Sequence, residues 1–342
     1  MISSYTSWQP LRECVVGRVY PSHYFDHITI PAVRKQLDRI LDETEEDLDN
    51  LSNIIKKFGA EVYRPDLIDK DLFQELQTRF KNVPPPPLTP RDHQISLGQT
   101  LLRLLPLAEL DQVCHDASVD GGKVVNPHNG VYDENCTVAG AVASCILRVG
   151  RDVFFDNSDW MTPVQSRWIA ENILDSNYRI HEAVTDGHGD AVFAILKPGV
   201  ILTTKHDDQI DLRNEFPGWD IFKIWDSSID ACMRIGKFKE DNFNGRWYLI
   251  DEQPTAEFAA YVDSYLDQWT GLVSETIFDV NCLVLDEQHV IFSSHNSSVA
   301  DFCARHKITP IIAPLRHQYF WDGGISCCTQ DIRREGGLET YL

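Results

Sequence analysis

The sequence lacks several features that would assign the protein to a large class at once. Basic residues are scarce, because 31 Lys and Arg stand against 52 Asp and Glu, and the formal net charge is −21 at pH 7. Such a surface repels phosphate backbones, so nucleic acid is not expected as a partner. No apolar run approaches the roughly 18 residues that span a bilayer. The start, MISSYTSWQP, has no basic and apolar signal-peptide segments, so no membrane contact is expected.

The cysteines also lack the spacings of common metal and redox motifs. There are nine of them, an odd number, and no C-x-x-C pair occurs. This argues against a zinc ribbon and against a thioredoxin-type site. We therefore predict reduced thiols in a cytoplasmic protein, with no metal and no cofactor.

What the sequence does contain is a recurring order of strands and helices. Residues 11–18 have the pattern of a strand, and residues 31–58 that of a long helix with Pro31 in its first turn. Further along, two strands joined by a turn are repeatedly followed by a helix and another strand. Such a repeat indicates an α/β fold that can close into a propeller, although periodicity alone also fits an open mixed sheet.

The stretch NVPPPPLTPRD, residues 82–92, interrupts this order with four consecutive prolines. These prolines favour an extended polyproline conformation and forbid a helix. The stretch is either a linker between domains or the entry to the next strand of the repeat.

Three polar clusters stand at predicted strand ends or turns: Arg91 with Asp92, His188 with Asp190, and the pair Cys327 and Cys328. In an extended chain, residues two apart point to the same face, so His188 and Asp190 are predicted to share a pocket. Taken alone, a histidine at such a place is more often structural than functional.

The adjacent cysteines follow Gly323 and Gly324, which can adopt backbone angles that other residues avoid. A free cysteine is commonly an inert apolar residue of the core. It becomes a nucleophile when a nearby histidine or cation favours its thiolate. The residues alone leave both interpretations open.

Several segments, read together, resemble the glycine amidinotransferase family, which includes arginine:glycine and inosamine-phosphate amidinotransferases. SSYTSWQPLRECVVGR is similar to the family's first strand, and PRD at 90–92 to its next signature. CILRVGRDVFF, HGDAVFAILKPGVIL and DVNCLVLDEQHVIF match in order. GGISCCTQDIRREGGLETY resembles the terminal G-G-x-x-C-x-T-x-D-x-R-R-x-G motif. The similarity runs through nearly the whole chain.

The resemblance implies the pentein fold, a five-bladed pseudo-symmetric α/β propeller, built as a single domain over residues 1–342. It implies Cys327 as the nucleophile and His188 as the general acid and base. It also implies that Asp92 and Asp190 hold a guanidinium group, with Arg91 and Asp279 counted among the substrate-binding residues. Cys328 is expected to pack inward. The implied partners are arginine and an amine acceptor, and a homodimer is compatible with the family.

These residue types suit the chemistry of amidino transfer. The guanidinium carbon is a poor electrophile, and carboxylates that accept its N–H groups in pairs fix its plane. A thiolate can then attack this carbon, and a histidine can protonate the departing amine and later deprotonate the incoming one. An amidino-cysteine would be the intermediate.

The chain departs from the family pattern just before the predicted strand in CILRVGRDVFF. There the family has D-A-A-[DN], whose first Asp orients the catalytic histidine, whereas this chain has Val142 and the residues up to Cys145. Such orienting carboxylates matter greatly to rate. Another acid could replace it, and the candidates are Asp133, Glu134 and Asp186.

Two further departures concern the acceptor. Asp279 stands where arginine:glycine amidinotransferases have a small hydroxyl residue, and Asp207 stands where a cation would receive a substrate carboxylate. Both favour an acceptor that is cationic, or at least lacks an α-carboxylate, over glycine. The alternative is that Asp279 faces solvent or pairs internally, for example with Lys205.

Two other functions remain compatible with the sequence. Water could replace the amine, as in arginine deiminases and dihydrolases of the same fold. A non-catalytic protein that binds a guanidino ligand is also compatible, because the carboxylate expected at Val142 is absent.

Overall fold

We describe a computed structural model of the chain, which defines residues 2–79, 83–119, 121–128, 132–183, 188–204, 212–224, 254–269 and 277–342. Within these ranges, none of the helices combines the length and the apolar character needed to cross a bilayer.

The described residues form five three-stranded sheets of one design. In each sheet the middle strand pairs antiparallel with one neighbour and parallel with the other. The strands of the four internal sheets, in chain order, are Gln94–Leu97, Thr100–Arg103 and Lys123–Val125; Ile146–Val149, Asp152–Asp156 and Arg179–Ala183; Phe193–Lys197, Val200–Thr203 and Asp220–Lys223; and Leu283–Asp286, His289–Phe292 and Thr309–Ile312.

The fifth sheet joins the two ends of the chain. Its middle strand, Leu11–Val16, pairs antiparallel with Thr329–Arg334 and parallel with Glu61–Tyr63. The C-terminal strand thus takes the place that the first strand holds in every other sheet. This arrangement gives five equivalent units, as the repeat in the sequence predicts.

Helices connect the strands and cover the sheets. Their bounds are Pro31–Lys57, Lys70–Arg79, Pro90–His93, Asp111–Val119, Pro163–Ile173, Gly189–Val192, Leu212–Glu215, Ala256–Tyr265, Ser297–Arg305 and Gln318–Trp321, with 3₁₀ turns at Ser22–Phe25, Ala108–Leu110 and Ala143–Cys145. The prediction of a helix over 31–58 is confirmed to within one residue. Apolar residues at helical spacing, from Val33 through Leu37 and Ile40 to Leu48, turn one face of this helix into the core.

The tetraproline stretch is partly buried, because Pro86 and Pro87 are buried whereas Pro85 is exposed. It follows Val83, whose carbonyl accepts a hydrogen bond from the Trp269 indole N–H at 3.1 Å. The chain then enters the one-turn helix Pro90–His93 and the strand Gln94–Leu97. The prolines therefore lead directly into the second unit, which is the entry role that the sequence left open.

Candidate active site

Polar side chains reach one place from five equivalent positions of the repeat. Each lies two or three residues before the first strand of its unit: Asp92, Ser144, Asp190, Asn281 and Cys327. Contacts between units join them, because Ser144 bonds to Asp92 and Asn281 bonds to Cys327. The fivefold repetition of the backbone thus assembles one polar site from residues as much as 235 positions apart.

Cys327 is held by the side chain of Asn281. The Asn281 Nδ2 donates to Cys327 Sγ at 3.0 Å, and Asn281 Oδ1 accepts from the Cys327 backbone N–H at 3.2 Å. A donated N–H stabilises a thiolate more than a thiol, because only the thiolate carries a full negative charge. The contact needs Gly324, since a Cβ added there would stand 2.6 Å from Asn281 Oδ1.

The neighbouring thiol has a different environment. Cys328 packs inside the apolar cluster around the long helix, and burial raises its pKa to about 12. This agrees with the expectation that Cys328 packs inward. The expected unusual backbone angles at Gly323 and Gly324 are not found; the left-handed residue of this turn is Asp322, with φ at 50°. Glycine is needed at 324 for space instead.

His188 precedes the one-turn helix Gly189–Val192, and the strand begins only at Phe193. The prediction that His188 and Asp190 share the face of an extended strand is therefore wrong in its geometry. They still come to the same site, because His188 Nδ1 lies 3.9 Å from Asp92 Oδ1 and His188 acts electrostatically on Asp190. Trp160 packs edge-on against the imidazole, with ring centroids 5.2 Å apart.

Asp190 uses one carboxylate oxygen inside the protein and keeps the other available. Its Oδ2 accepts from Ser326 Oγ at 2.7 Å, whereas its Oδ1 is buried without a hydrogen-bond partner among the described residues. Burial raises the pKa of Asp190, and His188, Ser326 and Arg91 offset this only in part. Asp190 and Ser326 line a cavity of about 60 Å³. A ligand N–H or cation at Oδ1 would stabilise the ionised form.

Asp92 is tied to the unit in which the family's orienting carboxylate is missing. Its Oδ1 accepts from Ser144 Oγ at 2.9 Å, and the same oxygen is the one nearer His188. Val142 is buried at the start of this turn. Of the proposed replacements, Asp133 and Glu134 are exposed, and Asp186 lies outside the described residues.

Arg91 points away from Asp92 into the strands. Its Nη2 pairs with Asp331 at 2.9 Å and its Nε donates to the Thr329 carbonyl at 3.1 Å. It also borders the small cavity beside Asp190. Its contact with substrate stays a prediction, whereas its structural role in holding the terminal strand is visible.

Asp331 is the centre of a second polar cluster, which we call the Asp331 cluster: Asp331, Arg91, Arg148 and Arg334. The three guanidinium groups approach its carboxylate to 2.9, 2.8 and 2.9 Å, respectively. Burial alone would raise the pKa of Asp331, but the arginines hold it well below its usual range. Asp331 is the third residue of the strand Thr329–Arg334, and Arg148 is the third residue of the strand Ile146–Val149. Each follows the site residue of its unit, Cys327 or Ser144, by four positions, so the Asp331 cluster forms a deeper layer.

Asp279, the acid expected to bind the acceptor, is 8% exposed. It therefore does not face solvent, which removes one of the alternatives. Lys205, His206 and Asp207 lie outside the described residues, as does Asp186. The substrate-binding role of Asp279 stays a prediction.

Sequence reasoning missed three residues of the site: Asn281, Ser144 and Ser326. Asn281 and Ser144 occupy the position two residues before a first strand, which Cys327 and Asp92 also hold. Aligning the repeated units with one another, rather than searching for charged residues, would have found them. Ser326 is recognisable only from its contact with Asp190.

Comparisons with known proteins agree with this geometry. No protein-family profile matches the chain. Inosamine-phosphate amidinotransferase 1 of Streptomyces glaucescens is 22% identical over 397 aligned residues, covering 100% of this chain and 99% of the relative. Mitochondrial glycine amidinotransferase of Gallus gallus is 22% identical and is covered over 85% of its length.

Solved structures show the same fold. Inosamine-phosphate amidinotransferase from Streptomyces griseus superimposes with a TM-score of 0.68 at 19% identity, over 100% of this chain and 99% of that one. An amidinotransferase of saxitoxin biosynthesis from Microseira wollei gives 0.68 at 20% identity, again over 100% and 99%. A dimethylarginine dimethylaminohydrolase from Pseudomonas aeruginosa gives 0.54 at 13% identity, over 94% and 99%.

The protein is therefore a pentein-fold enzyme, and the predicted α/β fold with five-fold pseudo-symmetry is confirmed. Within that fold it is a full-length homologue of the inosamine-phosphate and glycine amidinotransferases, which makes it a transferase that acts on small molecules. The resemblance stated from the motifs is confirmed at this level.

Proposed function

We propose that the protein transfers the amidino group of arginine to an amine through a covalent intermediate on Cys327. The observation that carries this proposal is the Asn281–Cys327 pair, which presents a sulfur with a donated N–H beside His188, Asp92 and Asp190. The four groups are the nucleophile, the proton carrier and the two guanidinium-binding carboxylates that such a reaction needs.

In the first half-reaction, Asp190 Oδ1 and Asp92 accept N–H groups of the donor guanidinium and fix its plane. The sulfur lone pair of the Cys327 thiolate forms a C–S bond to the central carbon. The C–N bond to the ornithine side chain breaks, and the departing nitrogen takes a proton from His188. Atoms and charge balance, because the thiolate charge is replaced by a neutral sulfur carrying a cationic amidino group.

In the second half-reaction, a neutral amine attacks the same carbon while His188 takes its proton. The C–S bond breaks and Cys327 leaves as a thiolate, which restores the enzyme. Asp92 serves both steps in this proposal, because it lies near His188 Nδ1 and accepts from Ser144. It thereby takes over the positioning role of the carboxylate that Val142 replaces.

The setting of this reaction is part of the proposal. Eight described cysteines are free thiols, which suits a reducing, cytoplasmic compartment. We propose a single domain over residues 1–342 with no metal or cofactor, since each step uses side chains of this chain. A homodimer is compatible with the family, and light scattering at two protein concentrations would test it.

Hydrolysis is the second candidate function, because arginine-degrading enzymes share the fold. An arginine dihydrolase domain from cyanobacteria superimposes with a TM-score of 0.57. Water attacking the amidino-cysteine would release urea. Formation of citrulline instead requires ammonia to leave first, so that the intermediate attacked by water still carries the ornithine side chain. The full-length sequence matches are to amidinotransferases, which favours transfer.

Incubation with arginine alone tests the proposal. A transferase stalls after one equivalent of ornithine. A hydrolase instead turns over and releases ornithine with urea, citrulline with ammonia, or ornithine with ammonia and carbon dioxide. Cys327→Ala should release no ornithine, and Cys328→Ala should behave as wild type. Arginine binding without any ornithine release from wild type would instead favour a non-catalytic binding protein.

A further inference from the structure

A second cavity formed by described residues has Asp92, but not Asp190, in its lining. We call it the tryptophan pocket, and it has a volume of about 420 Å³. Its walls are the prolines at 84–86, the indoles of Trp269 and Trp321, and the carboxylates of Asp92, Glu109 and Asp322. Since Asp92 also lies 3.9 Å from His188, this pocket opens onto the proposed reaction centre.

The pocket also approaches the nucleophile. Thr89, one of its lining residues, and Cys327 both come within 3.5 Å of the Cβ position of Gly323. Thr89 thus links the lining of the pocket to the side chain of Cys327, the proposed nucleophile. The small cavity beside Asp190 has a separate set of lining residues.

Glu109 is the unexplained group of this pocket. Its side chain is only 9% exposed, and it forms no ion pair with the described residues. Burial raises the pKa of Glu109, a hydrogen bond from its own backbone N–H offsets part of this rise, and the charge of Asp111 raises the pKa again. A buried carboxylate without a cation is costly, so such a group is normally paired or meets a ligand.

Among the other described lining residues the one titratable base is His93, and burial lowers the pKa of its imidazole, which favours the neutral form. The prolines have no backbone N–H to donate. Both indole N–H groups are already used, by the Val83 carbonyl for Trp269 and by Thr44 for Trp321. None of the described lining residues is Lys or Arg. The two indole rings, with centroids 5.5 Å apart, add aromatic surface of the kind that attracts cations.

We infer that the tryptophan pocket binds the protonated second amine of a diamine or polyamine acceptor, with Glu109 as its counter-ion. This inference rests on the proposed transfer reaction and names its acceptor class. The free amine of the same molecule, which has lost its proton, then points toward Asp92 and His188 and attacks the amidino carbon on Cys327. An amino acid such as glycine fits less well, because no Lys or Arg stands among the described lining residues to receive its carboxylate.

Asp279 is the other acid that could hold the acceptor's charge. It lies in the segment that leads to Asn281, and it is not among the residues that line the tryptophan pocket. The two acids therefore make different predictions. If Glu109 binds the ammonium, Asp279→Ser leaves the preference for a diamine unchanged.

The test compares putrescine with butylamine, which has the same chain but one amine. After wild type has reacted with arginine to form the proposed Cys327 adduct, putrescine should be the better acceptor. Glu109→Gln should lower kcat/KM for putrescine about 10- to 100-fold, the usual worth of a hydrogen bond to a charged group, and leave butylamine unchanged. Asp111→Asn is the matched control, because it removes the same charge two residues away at an exposed site paired with Arg103.

Two further measurements separate the inference from the transfer reaction itself. The rate at which arginine modifies Cys327 should be the same in Glu109→Gln and wild type. Calorimetric titration of the unmodified protein should show putrescine binding that Glu109→Gln weakens and Asp111→Asn does not. This titration tests whether the tryptophan pocket binds putrescine, independently of the transfer reaction. Failure of arginine to modify Cys327 would overturn only the proposed function.

Several results would overturn the inference. They are a wild-type preference for glycine or butylamine, an equal loss for both amines in Glu109→Gln, slower modification by arginine in that variant, or a preference removed by Asp279→Ser instead. The third would mean that the pocket receives the donor rather than the acceptor.

Discussion

Two layers of the same central region treat buried acids in opposite ways. In the deeper layer, Asp331 is fully buried and meets three guanidinium groups, which hold its pKa well below the usual range. In the layer above it, Asp190 has a buried oxygen without a partner and a raised pKa. The first acid is satisfied by the protein, and the second is satisfied only when a ligand arrives.

This difference in how the two acids are paired distinguishes a residue that stabilises the fold, Asp331, from a residue proposed to bind substrate, Asp190. The arginines of the Asp331 cluster come from three units, so one carboxylate joins Arg91, Arg148 and Arg334 across the centre of the molecule. Asp190, in the upper layer, is compensated only in part by His188, Ser326 and Arg91, which costs stability. Such strain at a site is an expected feature of a binding centre for cations.

The largest expected difference between the two layers appears when the charge of one acid is removed in each. Asp331→Asn should lower the free energy of unfolding by about 3–5 kcal/mol, because it leaves three buried arginines without their partner. Asp190→Asn should change it by no more than about 1 kcal/mol, since Arg91 acts on Asp190 only electrostatically and no described guanidinium forms an ion pair with it. Denaturant unfolding at neutral pH measures both variants.

The acid dependence of stability gives a control for this pair. The folded-state pKa of Asp331 is depressed, so its stabilising contribution is present above the unfolded-state pKa and is lost as pH falls through the folded-state value. The stability difference between wild type and Asp331→Asn should therefore narrow in strong acid. A difference that is small already at neutral pH would contradict the structural role of the cluster.

The next test asks whether His188 acts as a proton carrier or as an ion-pair partner of the upper acids. His188→Asn should lower the rates of both half-reactions by about 10²–10⁴-fold, the usual contribution of a positioned acid and base. Its unfolding free energy should stay near that of wild type. Single-turnover formation of the Cys327 adduct at the wild-type rate would remove His188 from the first step.

Asp190 predicts a smaller, pH-dependent effect on arginine binding. Its ionised form accepts the guanidinium, so affinity should fall as pH falls through the pKa of Asp190, which burial raises above the ordinary value of 3.8. Asp190→Asn should bind arginine about 10- to 100-fold more weakly at neutral pH and should lose this titration. Calorimetry on a Cys327→Ala background measures binding without chemistry.

Asn281 predicts the smallest effect, on the reactivity of the thiol. In a Cys328→Ala background, Asn281→Leu should slow alkylation of Cys327 by iodoacetamide by about tenfold, because the N–H that stabilises the thiolate is lost. Asn281→Asp should slow it further, since a carboxylate oxygen then faces the sulfur. Equal rates in all three proteins would mean that the Asn281 contact only positions the backbone.

The sequence predicted the fold well because its signals are local. The helix at 31–58 follows from apolar spacing and Pro31, and the strand pairs follow from apolar runs around turns such as the one at Gly150. The sequence also predicted which residues gather at the site, but through motif resemblance rather than geometry. The assumed extended chain at His188 and Asp190 is a helical turn instead.

What could not be predicted depends on contacts between units. Nothing local to Asn281 indicates that it bonds to a sulfur 46 residues away, or that Gly324 leaves space for it. In the sequence, Glu109 has no feature that distinguishes it from an ordinary surface acid. Only its packing with Trp269, Trp321 and the prolines shows that it lines a pocket. Alignment of the repeated units could have placed Asn281 at the site. Its partner, and the lining of the pocket, depend on long-range packing that a single sequence does not show.

The most direct test of the account is the intact mass of the protein after brief exposure to arginine and rapid acid quenching. The account predicts that wild type and Cys328→Ala gain the mass of one amidino group on Cys327, and that addition of an acceptor amine removes it. Cys327→Ala should gain nothing. Arginine turnover without any such adduct, or an adduct that persists in Cys327→Ala and disappears in Cys328→Ala, would contradict the assignment of Cys327 as the nucleophile.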